Sequence, residues 1–110
     1  MVYKYRWLAA ALEDLSQEVG YVLCEFGIQA ARKAEFSVRQ AVECLCLFPN
    51  TGVRYGGLMY EGYEVRVLRQ RQVSIIYCLQ GDMITLIAVW NNHRDDKRIE
   101  AMIQSRQDID

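Results

Sequence analysis

The sequence predicts an α+β fold in two layers, ordered β-α-α-β(3-4), with a helical hairpin packed on a small, mainly antiparallel sheet. Three observations predict it. A short alternating segment opens the chain. Two long segments with helical periodicity follow, joined by almost nothing. From Gly52 onward, alternating or wholly apolar runs are broken by glycines. The 110 residues suit one domain spanning 1–110.

Each element has its own warrant. "VYKYRWL", Val2 to Leu8, alternates polar and apolar residues and is rich in Tyr and Trp, which marks a first strand. Leu8, Leu12, Leu15, Val19, Leu23 and Phe26 then recur at steps of three or four, the stripe of an amphipathic helix that Gly27 stops. Gly20 weakens its middle slightly. Ala34, Val38, Ala41, Leu45 and Phe48 repeat the pattern, and Pro49 with "PNTG" ends the second helix. So short a join makes the two helices an antiparallel hairpin.

Gly52, Gly56, Gly57 and Gly62 punctuate an irregular stretch with one short strand near Leu58–Tyr60. "YEVRVL", Tyr63 to Leu68, alternates. Tyr63, Val65 and Val67 are expected to face the helices, and Glu64, Arg66 and Leu68 to face away. "VSIIYCL", Val73 to Leu79, and "MITLIAVW", Met83 to Trp90, are apolar enough for interior strands, linked by a tight turn at Gln80–Asp82. The last stretch, Asp95 to Gln107, spaces Ile99, Met102 and Ile103 helically but is short and polar, a final helix or a frayed end. The expected core sets Leu12, Leu15, Val19, Leu23, Ala34, Val38, Ala41 and Leu45 against Val65, Val67, Ile75 and Tyr77.

Composition narrows the function. The apolar share is 52%, the charged share 25% and the net charge −1, so the chain can build a core, and any basic surface is a local patch. No leader or membrane span is legible, and a cytoplasmic setting is expected. Cys24, Cys44, Cys46 and Cys78 lie in apolar stretches and read as small buried hydrophobes. No metal site or cofactor is indicated.

The polar cluster is "NNHRDD", Asn91 to Asp96, which follows the most apolar strand directly. It holds the chain's single His. His93 is a base by type, or else a surface or capping residue. Arg94 suits a target or an ion pair with Asp95 or Asp96. Arg66 is a basic residue for an open sheet face, or a solvated one paired with Glu64. Arg54, Arg69 and Arg71 make a basic patch or merely a soluble loop. Trp90 is a core lid or an exposed anchor.

The order and spacing of these segments resemble the RelE/ParE superfamily of bacterial toxins. The residues that carry the resemblance are the aromatic first strand, the helix "ALEDLSQEVGYVLCEFG", the closing "LFPNTG", the strands "GYEVRVL" and "SIIYCLQGD", and the ending "VWNNHRDD". The resemblance implies a growth-inhibiting toxin, often one that stabilises plasmids, held in a hetero-oligomer by a cognate antitoxin that lies over the helix hairpin and reaches the sheet rim. Some members cleave messenger RNA on the ribosome; the ParE branch acts on DNA gyrase. Cleavage through the RNA's own 2′-hydroxyl needs cations and a proton donor on the sheet. In this chain Glu64 and Ser74 stand where the ribonucleases have basic residues, and "NNHRDD" looks more like the ParE pattern. The resemblance therefore implies a gyrase-directed binding toxin, with Arg66, Trp90, Asn92, His93 and Arg94 on the target surface. The alternative is a ribosome-dependent endoribonuclease using Arg66, His93 and Arg94, or a binding module that has lost toxicity.

Overall fold

A computed structural model describes residues 2–108. The chain runs β1 (Lys4–Trp7), α1 (Ala9–Phe26), α2 (Ile28–Leu47), β2 (Val53–Tyr60), β3 (Tyr63–Arg69), β4 (Val73–Gln80), β5 (Met83–Asn91), a 3₁₀ turn (Asp96–Arg98) and α3 (Ile99–Asp108). Two helices pack on one sheet, and a short third helix follows. The predicted architecture is therefore the observed one. The sheet order is β1-β5-β4-β3-β2. All neighbours are antiparallel except β1, which lies parallel to β5.

Gly27 alone joins the helices. At φ +93 its N–H caps α1 on the Leu23 carbonyl, a backbone shape that suits glycine. The second helix begins well before the Ala34 at which its stripe becomes legible. β2 is longer than the short strand expected at Leu58–Tyr60. Gly56 and Gly57, both at positive φ, bulge it so that pairing with β3 breaks between Arg54 and Met59. Glu61 and Gly62, again at positive φ, close a two-residue hairpin into β3.

Two cores flank the sheet. Beneath the hairpin, Leu15, Val38, Ala41, Val42 and Leu45 meet Ile75, Tyr77, Ile84 and Leu86. On the other face, Tyr60, Val65, Val67, Ile76, Ile87 and Trp90 pack under Ile99 and Ile103 of α3. This corrects the phase expected for β3. Val65 and Val67 are buried, as their alternation implied, but on the face away from the hairpin, while Leu68 packs on the hairpin side. The expectation assumed a single buried face. With only three large apolar residues, α3 gave little sign that it covers the other. Two further corrections concern α1 and the thiols. Leu12 and Leu23 are more than two-fifths exposed, because Ala11 and Leu15 are the residues α1 buries. Cys24 and Cys44 are exposed, and only Cys46 and Cys78 are buried.

A bulge in β5 links all layers. Ile76 pairs with Ala88 but Tyr77 with Leu86, so Ile87 is an extra residue, and Ile87 and Ala88 both join the α3-side core. β1 ends at the level of Leu86, which leaves the next edge groups of β5 without a neighbouring strand. Side chains complete them. Asp14 of α1 accepts from the Val89 N–H at 3.1 Å, and Arg106 of α3 donates to the Ile87 carbonyl at 2.7 Å. Arg106 also grips both Asp14 oxygens, at 2.7 and 2.9 Å. One turn along α1, Glu18 accepts from Asn91 Nδ2 at 3.1 Å. The exposed edge of an interior strand is thus closed by carboxylates and a guanidinium rather than left to pair with another chain.

Candidate functional site at the sheet rim

β5 is buried up to Trp90 because both its faces lie under helices. It leaves the sheet at Asn91, and by His93 the chain has passed from core to solvent. The two asparagines at this exit tie the backbone down. Asn91 Oδ1 accepts from the His93 N–H at 2.8 Å, and the Asn91 carbonyl accepts from the Arg94 N–H at 3.0 Å. Asn92 holds the β3–β4 loop: its Nδ2 donates to the Gln70 carbonyl at 2.7 Å and its backbone N–H to the Gln72 carbonyl at 3.0 Å. Asp95 then accepts from the Lys97 N–H and starts the 3₁₀ turn.

Behind this turn lies a chain of polar contacts. Ser74, fully buried on β4, donates to Asn92 Oδ1 at 2.6 Å and accepts from Arg69 Nη1 at 3.3 Å. Arg69 Nη2 also pairs with Asp96 at 2.8 Å. The position at which the ribonuclease pattern calls for a cation is thus a buried serine that knits the rim together. Sequence reasoning set Arg69 among loop arginines and offered Asp96 to Arg94, whereas the structure pairs Asp96 with Arg69. Their separation in sequence hid the pair.

Trp90 is 3% exposed, beneath the Arg94 guanidinium, which lies 4.8 Å from the ring centroid. Its Nε1–H is buried with no acceptor among the described residues, which carries a desolvation cost. Of the two sequence readings, Trp90 is the lid and Arg94 its exposed cover. His93 and Arg94 project side by side from the rim, both exposed.

The structure brings Trp90, Asn92, His93 and Arg94 together, but not Arg66. Arg66 sits three residues, about 10 Å, down β3 from Arg69. It pairs across the sheet with Tyr77 of the hairpin-side core, so it is not on an open face. Its Nη1 donates to the carbonyls of Gly52 at 2.6 Å and Asn50 at 3.4 Å. Tyr77 completes the same knot: its hydroxyl donates to the Pro49 carbonyl at 2.7 Å and accepts from the Gly52 N–H at 2.9 Å. Burial raises the Tyr77 pKa above its usual value, against smaller lowering by the Gly52 bond and Arg66. Glu64 pairs with Arg54 on the exposed edge at 3.1 Å, not with Arg66.

The remaining sheet face is filled. α3 lies over it through Ile99 and Ile103, both fully buried. Gln107 pins the far end of α3 to the β2–β3 turn by accepting from the Glu61 N–H at 2.8 Å and donating to the Met59 carbonyl at 3.2 Å. Beyond α3, Arg6 donates to Thr85 and Gln80, both at 3.0 Å. Among the described residues no cluster of three or more His, Cys, Asp and Glu could hold a metal ion, and no helix is long and apolar enough to cross a membrane.

No protein-family model and no curated protein matches the sequence. Among solved structures, a chain described as "Chromosomal ParDE TA system from P. aeruginosa" matches with a TM-score of 0.65 at 20% identity, over 82% of this chain and 96% of that one. At that identity the likeness is one of fold. This chain has the fold of a component of that ParDE system, as its motifs led one to expect.

Proposed function

We propose that this chain is the toxin of a toxin–antitoxin pair and arrests growth by binding DNA gyrase, with no chemistry of its own. One observation carries the choice of binding over cleavage. The sheet face on which a ribonuclease would hold phosphate is filled by α3 and an apolar core, and the polar side chains beside it are bonded to one another. Among the described residues, the guanidinium groups beside it are already engaged, Arg69 with Asp96 and Arg6 with Thr85 and Gln80, which disfavours phosphate handling there. The target surface is then the rim: Asn92 as scaffold, His93 and Arg94 exposed, and Trp90 beneath Arg94. Arg66 lies outside it and holds the Asn50–Gly52 loop instead.

A cognate antitoxin is the expected partner. α2 and the start of β2 offer it Phe36, Leu47, Phe48 and Val53, all more than half exposed. A segment that folds on this surface could reach the rim along β2. Co-expression with the product of the neighbouring reading frame should yield a co-purifying complex. Two separate proteins at micromolar concentration would count against the pairing.

The exposed His93–Arg94 pair favours the ribonuclease as the second reading. Primer extension on induced cells separates the two. The binding reading expects intact messages while growth stops. Codon-positioned breaks, lost with His93→Ala and Arg94→Ala, would establish the ribonuclease.

A further inference from the structure

The rim gathers more cations than its own acids engage. Arg69, Arg71, Arg94, Lys97 and Arg98 fall within two short segments, 69–72 and 92–98, in a chain whose net charge is −1. The fold brings these segments together, because Asn92 donates to the carbonyls of both Gln70 and Gln72 and Asp96 pairs with Arg69. The acids of the rim are already placed, Asp96 on Arg69 and Asp95 on the Lys97 N–H. Glu100 opens α3 beyond them. Arg71, Lys97 and Arg98 are exposed, and among the described residues their side chains have no ion pair and no hydrogen bond. Arg94 rests on the Trp90 ring, and its side chain makes neither.

The surroundings of these cations narrow the partner they fit. The exposed large apolar side chains of the described residues all lie outside the two segments. Protein interfaces centre on buried apolar anchors, and here such anchors stand elsewhere, on α2 and β2. The aromatic of the rim, Trp90, is 3% exposed beneath Arg94, so no unstacked base can lie on it. Single-stranded RNA is held chiefly by such stacking. Duplex DNA asks for neither an apolar anchor nor an aromatic platform. It presents an outward row of phosphates, which arginine and lysine side chains meet directly.

We infer that the rim docks on the phosphate backbone of duplex DNA through Arg71, Arg94, Lys97 and Arg98. These residues stand at the open end of the sheet, where β5 leaves it and the chain is exposed from His93 to Arg98. Cations without a partner give up no ion pair when they meet phosphate, and release of the counterions condensed on DNA drives the contact. The inference rests on the reading of the rim as the target surface and adds DNA to what that surface meets.

Fluorescence anisotropy of a labelled DNA duplex of about 20 base pairs, titrated with the purified chain in the absence of gyrase, tests this. Binding should be seen at micromolar chain in about 50 mM salt, and the log of the affinity should fall with the log of salt at a slope of about −3 to −4, as four phosphate contacts require. Arg71→Gln, Lys97→Gln and Arg98→Gln should each weaken binding roughly three- to tenfold and reduce the slope by about 1. Arg32→Gln with Lys33→Gln, which removes two cations of α2, should change neither. All these positions are exposed, so melting curves should keep their folded form. A single-stranded RNA of the same length should compete several-fold less well than unlabelled duplex, and polyglutamate should not compete. No binding at several hundred micromolar chain would overturn the inference, as would indifference to the three rim changes, or RNA or polyglutamate competing as well as the duplex. Because gyrase is absent, the result is separable from the proposed function. A chain that inhibits gyrase without binding DNA would overturn this inference alone, and a chain that binds DNA without affecting gyrase would overturn only that reading.

Discussion

Tyr77 ends β4's descent into the hairpin-side core with its hydroxyl held between the Gly52 N–H and the Pro49 carbonyl. Tyr77→Phe leaves both backbone groups unpaired in a buried place and should cost about 1–3 kcal/mol in urea unfolding. Gly52→Ala acts on the same knot from the other side. Its Cβ would stand 2.5 Å from the Tyr77 oxygen, and the collision should cost about 1–3 kcal/mol. Cys78 adds a pH dependence. Burial pushes its thiol up to about 12 from 9.0. A group held neutral by folding supports the native state fully below its unfolded pKa, and that support is lost as pH rises. Stability should therefore fall from about pH 9 toward pH 12, and Cys78→Ala should flatten the decline; melting curves across that range check it. Tyr77 was placed in the core from its strand phase alone, and the structure agrees. Its hydroxyl's partners were not legible, because they lie in a loop more than twenty residues upstream. Arg66 shows the reverse case. Its charge invited a functional reading, but which face it occupied depended on a second core that β3's own alternation could not reveal.

The hairpin was the most legible element, since two stripes at helical spacing and one glycine determine it. Even so, the α1 stripe named the wrong burial at Leu12 and Leu23. A stripe marks an apolar face, and here part of that face looks outward. α3 was the least legible. Three large apolar residues in a polar tail say little, yet Ile99 and Ile103 close a whole sheet face and Arg106 completes the β5 edge. Arg106→Ala would strand Asp14 and the Ile87 carbonyl, whose partner lies 2.7 Å away. The loss should be on the order of 1–3 kcal/mol, with faster amide exchange at Val89 than at Ile84. Equal protection of the two amides would show that the clamp does not hold the edge. The rim is an intermediate case. Asn91 to Arg94 were identified from their polarity after an apolar strand, while the Arg69–Asp96 pair behind them needed the fold.

Across the molecule, the sheet is a wall with a core on each side, and stability should depend on both. Leu45→Ala beneath the hairpin and Ile76→Ala beneath α3 should each cost about 2–5 kcal/mol, since both side chains are fully buried. Tolerance of the Ile76 change alone would mean that α3 is a loose cover. The same two-sided burial supports the proposed reading, in which the chain presents a rim rather than holding RNA. That reading is tested most directly by supercoiling of relaxed plasmid by purified DNA gyrase with increasing amounts of this chain. The expected result is a dose-dependent loss of supercoiling, weakened by Arg94→Ala and Trp90→Ala and relieved by the antitoxin. Undiminished supercoiling at large excess of the folded chain would contradict it.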